Sequence, residues 1–227
     1  MISRLISTYG HEIPSCTSLL AADFSEGMIK QVEASKLEAT SAGGKDSDIW
    51  SRVETRVLDA MDMQSVPDAS QSHVLAGWVY FMTPNPTKCL TESLRVLQPG
   101  GVLACTAWEG SQWLDLMKTL HDVRPDLTLP ELPKNWSDVN LLRKELEDAG
   151  FKEAHAERVD VKMQFEKHET LVDWLIEKLP HAIAMTKQMS AEEVQKWKDI
   201  ATEKCKQFCP SAPGELSGWS LMASGRK

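Results

Sequence analysis

Short apolar runs alternate with amphipathic segments in the first half of the chain. Each apolar run is brief and ends at polar or turn residues, which predicts a β-strand. The first of these strands is predicted to be buried. The predicted strands are 18–22, 52–58, 73–80 and 102–107. Apolar residues at helical spacing predict helices at 2–9, from Ser25 onward and at 87–97. Strands that alternate with helices favour a parallel, doubly wound α/β sheet.

The second half of the chain is richer in helices and adds two strands. Helices are predicted at 112–120, 137–149, 169–188 and 191–208, and strands at 156–165 and 218–225. A proline-rich stretch, 124–136, predicts an irregular excursion. Ligands of doubly wound sheets bind at the carboxyl ends of the strands, so polar and aromatic residues there are the first candidates for a site.

Composition narrows the function classes. With 227 residues and 42% hydrophobic residues, the chain is large enough for one domain, 1–227, with its own core. The net charge of −8 and the absence of a Lys/Arg cluster argue against nucleic acid or an anionic membrane surface as a partner. The start has no signal-peptide pattern and the five cysteines are an odd number, which favours a reducing, cytoplasmic location.

Two acids follow predicted strands. Asp23 ends the first strand, where a carboxylate can accept hydrogen bonds from a ribose diol; the alternative is a charge at the start of the next helix. Asp59 ends the second strand and could accept from an exocyclic amine or cap a turn. Met28 could lie on a purine ring, and the alternative is packing in the core.

Aromatic residues are candidates for a substrate pocket. Four tryptophans could wall an aromatic substrate pocket, with core packing as the alternative for each: Trp78, Trp108, Trp113 and Trp136. His181, on a predicted cover helix, could bind substrate or act as a base, or be a partly exposed spectator. No metal site is expected, and the sequence contains no Gly-x-Ser-x-Gly, His-Glu-x-x-His or Walker motif.

Three segments resemble motifs of class I S-adenosylmethionine-dependent methyltransferases, in particular small-molecule methyltransferases of fungal secondary metabolism. Residues 22–29 (ADFSEGMI) are similar to the second-strand motif of that family, and 58–62 (LDAMD) to its third-strand motif. Residues 95–101 (RVLQPGG) are similar to the signature before its fifth strand and are the most specific of the three. The resemblance extends over essentially the whole chain.

The resemblance implies a fold, a cofactor and a reaction. The fold is a Rossmann-like methyltransferase sheet with a terminal antiparallel hairpin and helical excursions at 109–136 and 166–215 that cover the substrate side. The cofactor is S-adenosylmethionine, with Asp23 on the ribose, Met28 beside the adenine and Asp59 at the adenine amine. Ala60 and Gly77 complete the expected cofactor-binding set. The reaction is methyl transfer to an O, N or S atom of a small molecule, with the catalytic residues unassigned.

The front of the chain departs from the family pattern. None of the twelve glycines forms the Gly-x-Gly loop that approaches the cofactor's amino-acid end. We therefore expect the first strand and this loop to be missing from the sheet, the neighbouring strands to be unpaired, self-association to follow, and S-adenosylmethionine to bind weakly. A cofactor-free relative, acting as a scaffold, a partner or a pocket-only cyclase, is the alternative. A different nucleotide-dependent enzyme, such as a reductase, is disfavoured by the Pro-Gly-Gly signature.

Overall fold

Six strands form two separate sheets. A computed structural model describes the backbone of residues 1–227 and every side chain except that of Pro180. The strands are β1 (Leu19–Asp23), β2 (Val53–Val57), β3 (Gln71–Gly77), β4 (Leu97–Ser111), β5 (Lys152–Phe165) and β6 (Gly214–Arg226). β1 and β2 form a two-stranded sheet, and the other four are ordered β3-β4-β6-β5.

Nine α-helices are described around these sheets. They are α1 (Ile2–Tyr9), α2 (Glu26–Ala42), α3 (Ser47–Ser51), α4 (Pro86–Val96), α5 (Gln112–Lys118), α6 (Val139–Asp148), α7 (His168–Lys178), α8 (Pro180–Thr186) and α9 (Ala191–Phe208). Five of them begin where the sequence provides a capping side chain. Ser25 caps α2, Asn85 caps α4, Ser111 caps α5 and Asp138 caps α6, and Ser190 forms a reciprocal capping box with Glu193 at α9.

The pairing of the strands confirms a doubly wound sheet with a terminal antiparallel hairpin. β1 with β2 and β3 with β4 are parallel, whereas β6 is antiparallel to both β4 and β5. One face of the four-stranded sheet is buried against α4 and α6, with Leu90 and Leu142 fully enclosed beside Leu103 and Leu221. This layer forms the first hydrophobic core of the chain.

β1 and β3 are each at the edge of their sheet. Within the described part of the chain, β1 pairs only with β2 and β3 pairs only with β4. Unpaired strand edges present free N–H and C=O groups, so self-association through them stays a prediction. β1 is also only partly buried, which corrects the expectation of a buried strand: burial of a central strand requires neighbours on both edges, and β1 has one.

The Pro-Gly-Gly motif forms the turn that leads into the paired part of β4. Gly100 has a φ of +78°, a left-handed conformation that glycine adopts without steric cost. A Cβ added to Gly101 would lie 2.9 Å from the backbone oxygen of Gln98 and 3.1 Å from that of Ser72. Both positions therefore require glycine, for two different reasons.

Two predicted elements end earlier than the sequence pattern suggested. The strand predicted at 73–80 ends at Gly77, because Trp78 has a φ of +53° and leaves the extended conformation. The helix predicted at 169–188 is two helices, α7 and α8, separated at Leu179. Leu179 is extended because the residue before a proline is disfavoured in the α region.

A second hydrophobic core lies under the helices of the two excursions. Side chains of α5 pack against those of α7 and α9, around Trp197, which has no exposed surface. Leu116, Leu175 and Ile176 are almost completely buried there. Trp108 of β4 contacts both this core and the first one, so it lies at their junction. None of the helices in the described residues is long and apolar enough to cross a bilayer.

Arg95 fastens α4 to the loop between β2 and β3. Its guanidinium donates to the backbone oxygens of Met63 and Val66 and to the carboxylates of Asp68 and Glu92. Glu92 also accepts from the amide of Met63 at 2.8 Å. The Arg95 guanidinium, helped by that amide, holds the pKa of the Glu92 carboxyl below its usual value.

We expect Glu92→Gln to lower the free energy of unfolding at neutral pH and to make it depend less on pH in the acidic range. The pKa of Glu92 is depressed in the folded state, so its contribution is complete above the unfolded pKa of about 4.3 and disappears as the pH falls through the folded value. Hydrogen bonds to a charged group contribute about 1.5–3 kcal/mol, which sets the expected loss at pH 7. Urea unfolding between pH 3 and pH 7 measures it.

Glu147→Gln is the matched control for this measurement. Glu147 is paired with Arg143 on the exposed surface of α6, where an ion pair contributes less than about 1 kcal/mol. An equal loss of stability in the two variants would contradict the stabilising role of the hydrogen bonds between Arg95 and Glu92.

Candidate cofactor and acceptor site

Asp23 is the last residue of β1 and is half-buried. Its Oδ1 accepts a hydrogen bond of 2.8 Å from the amide of Ser25, in the turn that leads into α2. This hydrogen bond holds the turn before α2, whose N-cap is Ser25. The second carboxylate oxygen is not used by that turn, so the turn and a ligand can share this carboxylate.

Asp59 lies beside Asp23 in the fold. The amide of Leu58 donates to the backbone oxygen of Asp23 at 3.0 Å, which fixes the two strand ends next to each other. Asp59 Oδ1 accepts a hydrogen bond of 2.8 Å from the amide of Met61, so this acid also caps a turn. The structure therefore brings together the two acids that the sequence predicted to share an edge.

Met28 and Ala60 flank these acids along the chain. Met28 lies in the first turn of α2 with 47% of its surface exposed, so the core-packing alternative is wrong for this side chain. Its buried neighbour Ile29 faces the protein instead. An exposed, polarizable thioether next to a strand end is free to cover the face of a ligand. Ala60 is half-buried and packs against the first core.

Gly77, at the end of β3, lines a cavity of about 220 Å³. The lining also contains Met1, Leu75, Thr106 and Met222. The Sδ atom of Met1 lies 3.3 Å from the position that a Cβ would occupy on Gly77. Gly77 is the one predicted cofactor residue among those that line this cavity in the described part of the chain.

Trp78, Trp108 and Trp113 form a ladder of rings. The rings of Trp78 and Trp108 are stacked, with centroids 5.2 Å apart and planes inclined by 12°. Trp113 meets Trp108 edge to face, with centroids 5.3 Å apart and planes inclined by 85°. The structure brings these three rings into contact in series, although their exposure differs, and their role in a substrate pocket stays a prediction.

Trp113 packs in the hydrophobic core, which is the alternative that the sequence left open for it. It is 6% exposed and packs in the second core. A Cβ added to Gly218 of β6 would overlap its ring, so the tryptophan lies directly on the glycine backbone. The contact was invisible in the sequence because 105 residues separate the two positions. Trp78, in contrast, is 41% exposed.

His181 and Glu109 complete the list of polar candidates. His181 lies on α8, and burial lowers the pKa of its imidazole, which favours the neutral form. It forms no hydrogen bond or ion pair with the described side chains, and its predicted role in substrate binding stays a prediction. Glu109, near the end of β4, pairs with Arg158 at 3.3 Å. Arg158 in turn lies 4.9 Å above the ring of Trp219.

The residues present fit the adenosine half of the implied cofactor. Two half-buried carboxylates at adjacent strand ends are suitable acceptors for a ribose diol and an exocyclic amine, and Met28 is exposed beside them. The amino-acid half would require close backbone approach, for which glycine is favoured, and the sequence has no Gly-x-Gly segment. The fit therefore extends to the adenosine half alone.

Comparisons with known proteins agree with this geometry. A family model described as a methyltransferase domain matches residues 7–105, which include β1, β2, β3 and both acids. Methyltransferase ucsB from Acremonium sp. is 39% identical over 226 residues, covering 99% of this chain and 77% of ucsB.

Two further proteins share a smaller part of their length with this chain. The acetylaranotin bis-thiomethyltransferase of Aspergillus terreus is 29% identical over 139 residues, which are 58% of this chain and 45% of that protein. The structure of a phosphoethanolamine N-methyltransferase from Haemonchus contortus, solved with S-adenosylhomocysteine, has a TM-score of 0.50 and 14% identity, and the match covers 99% of this chain and 45% of that one. The chain thus belongs to the class I S-adenosylmethionine-dependent methyltransferases and is similar to those of fungal secondary metabolism.

Proposed function

We propose that this chain takes part in methyl transfer from S-adenosylmethionine to an O, N or S atom of a small molecule in fungal secondary metabolism. The observation that carries the proposal is the pair of half-buried carboxylates, Asp23 and Asp59, at adjacent ends of two parallel strands. The identity to ucsB over nearly the whole chain supports the reaction class.

The two acids would hold and orient the cofactor. Asp23 would accept from the ribose hydroxyls with the oxygen that its turn leaves free, while the Ser25 amide fixes the other oxygen. Asp59 would accept from the adenine amine, and Met28 would cover one face of the ring. Bound there, S-adenosylmethionine supplies an electrophilic methyl group on a sulfonium.

The protein's contribution to such a reaction is alignment and exclusion of water. Holding two reactants in line is sufficient to accelerate a bimolecular transfer by several orders of magnitude, and a thiolate or amine acceptor needs no general base. The cover formed by α7, α8 and α9 packs on α5 next to Trp108, so it lies beside the aromatic candidates for acceptor binding. This arrangement supports a small molecule as the acceptor.

Asp23→Asn is expected to weaken adenosine binding by about 10- to 100-fold. Asparagine keeps the acceptor oxygen that the Ser25 amide needs, so the turn is preserved, but the charge that strengthens the bonds to the ribose is lost. Adenosine and S-adenosylhomocysteine are titrated into both proteins and followed by isothermal calorimetry or by saturation-transfer NMR.

Asp138→Asn provides the control, since Asp138 also accepts from backbone amides at the start of a helix but caps α6. We expect its adenosine affinity to equal that of the unmodified chain. Equal affinities in all three proteins, or no binding of adenosine by any, would refute the role of Asp23.

A further inference from the structure

Trp78 combines a strained backbone with an exposed, supported ring. We propose that the outer face of Trp78 is the stacking surface for a planar aromatic ring of the methyl acceptor, with Trp108 as its support. This inference rests on the proposed function, because it specifies the acceptor of the same reaction. It narrows the acceptor class from any small molecule to one with a flat, unsaturated ring system.

The backbone of Trp78 is held in a conformation that aromatic residues avoid. Its φ is +53°, and the other non-glycine residues with positive φ are Ala69 and Glu153. Such a conformation persists only where the surroundings fix it, and it concentrates at sites of function. Here the amide of Trp78 donates to Oγ1 of Thr106 at 3.0 Å, which fixes the turn against β4.

The ring of Trp78 is supported from below. Trp108 covers one face in a nearly parallel stack at 5.2 Å, and Trp113 meets Trp108 edge to face. Trp113 is itself immobilised in the second core against Gly218. A platform supported by two packed rings loses little conformational freedom when a ligand binds, which favours affinity.

The opposite face of Trp78 is available to a ligand. The residue is 41% exposed although Trp108 covers one of its faces, so the exposed surface belongs to the other face and the ring edge. Two residues connect Trp78 to the cavity of about 220 Å³: Gly77, which precedes it in the chain, and Thr106, which accepts from its amide, both line that cavity. Leu75 and Met222 give this cavity an apolar lining, which suits a hydrocarbon ring.

The geometry selects for a planar aromatic ring over a saturated one. Offset stacking needs two flat π surfaces at close distance, and a puckered ring presents axial hydrogens that prevent this contact. Stacking between two aromatic rings increases affinity by about 3- to 10-fold, in addition to the gain from burying apolar surface.

The test compares two probes of the same carbon skeleton, 2-naphthol and decahydro-2-naphthol, titrated with and without S-adenosylhomocysteine. We expect the unmodified chain to bind 2-naphthol at least about 3-fold more tightly than the saturated alcohol. Trp78→Leu should remove this preference, and Trp78→Phe should keep part of it because phenylalanine retains a π face. Trp174→Leu, which changes another tryptophan that is 48% exposed on α7, should leave the preference unchanged.

The outcomes separate this inference from the proposed function. Equal affinity for the two probes, or a preference that survives in Trp78→Leu while circular dichroism shows both proteins folded, overturns the stacking surface. Because the probes are also measured without cofactor, the result does not depend on Asp23. Loss of adenosine binding would refute the cofactor site. The naphthol measurement would still test the stacking surface independently.

Discussion

An N-terminal extension that carries a β-strand and a glycine-rich loop is expected to raise the affinity of this chain for S-adenosylmethionine by at least about 100-fold. The extension is a designed segment with one β-strand followed by a Gly-x-Gly loop, joined to the start of this chain; ucsB, which is 39% identical, is itself longer than the region that matches. Two or more newly satisfied hydrogen bonds, at about 1–3 kcal/mol for each group otherwise left unpaired, are sufficient for this gain.

The physical reason lies in the two sheets. β1 and β3 each have one edge without a partner among the described strands, and the adenosine half of the site is on β1 and β2. A strand that pairs with both edges would join the sheets, and a loop after it would bring backbone amides to the cofactor's amino-acid end. Calorimetry with S-adenosylmethionine measures the gain directly.

The control is the same extension with the loop glycines changed to alanine, which retains the strand but blocks close backbone approach. We expect it to recover less than a tenth of the gain. An intact extension that leaves the affinity unchanged would refute the expected strand and loop, and would favour the cofactor-free alternative.

Trp197→Ala is expected to destabilise the protein by about 3–5 kcal/mol, the range for large-to-small changes of buried aromatic residues. Trp197 is completely buried in α9 at the centre of the second core, where its neighbours cannot close the cavity without moving three helices. For a protein of this size each kcal/mol lowers Tm by about 2–4 °C, so we expect a fall of about 6–20 °C in calorimetry.

Trp174→Ala is the matched comparison for that measurement. The same side chain is removed from α7, but Trp174 is 48% exposed and leaves no enclosed cavity. Its effect should stay within about 1 kcal/mol. Similar shifts for the two variants would contradict the description of the helical cover as a packed core.

Local signals in the sequence predicted many elements with accurate bounds. The helix predicted at 191–208 agrees with α9 because the Ser190–Glu193 box and the stripe formed by Trp197, Ala201 and Cys205 all indicate the same helix. The start of α2 at Ser25 follows equally from its capping side chain. Elements of this kind depend on interactions within a few residues, so the sequence alone is sufficient.

Elements that depend on distant partners were harder to predict. The end of β3 at Gly77 reflects the conformation of Trp78, which a contact with Thr106 on β4 maintains. The burial of Trp113 depends on Gly218, and the hydrogen bonds of the Arg95 guanidinium depend on a loop about 30 positions earlier in the chain. Neither contact leaves a periodic signal in the sequence, because periodicity reports neighbours within one element.

The sequence by itself determined the class of fold, the family and the two acids that end adjacent strands. These follow from alternation of apolar runs, from three short motifs and from the position of each acid after a strand. Tertiary structure alone decided that the strands form two sheets and that the three tryptophans have different roles. The physical reason is that strand pairing and ring exposure are properties of surfaces brought together from opposite ends of the chain, which no local pattern encodes.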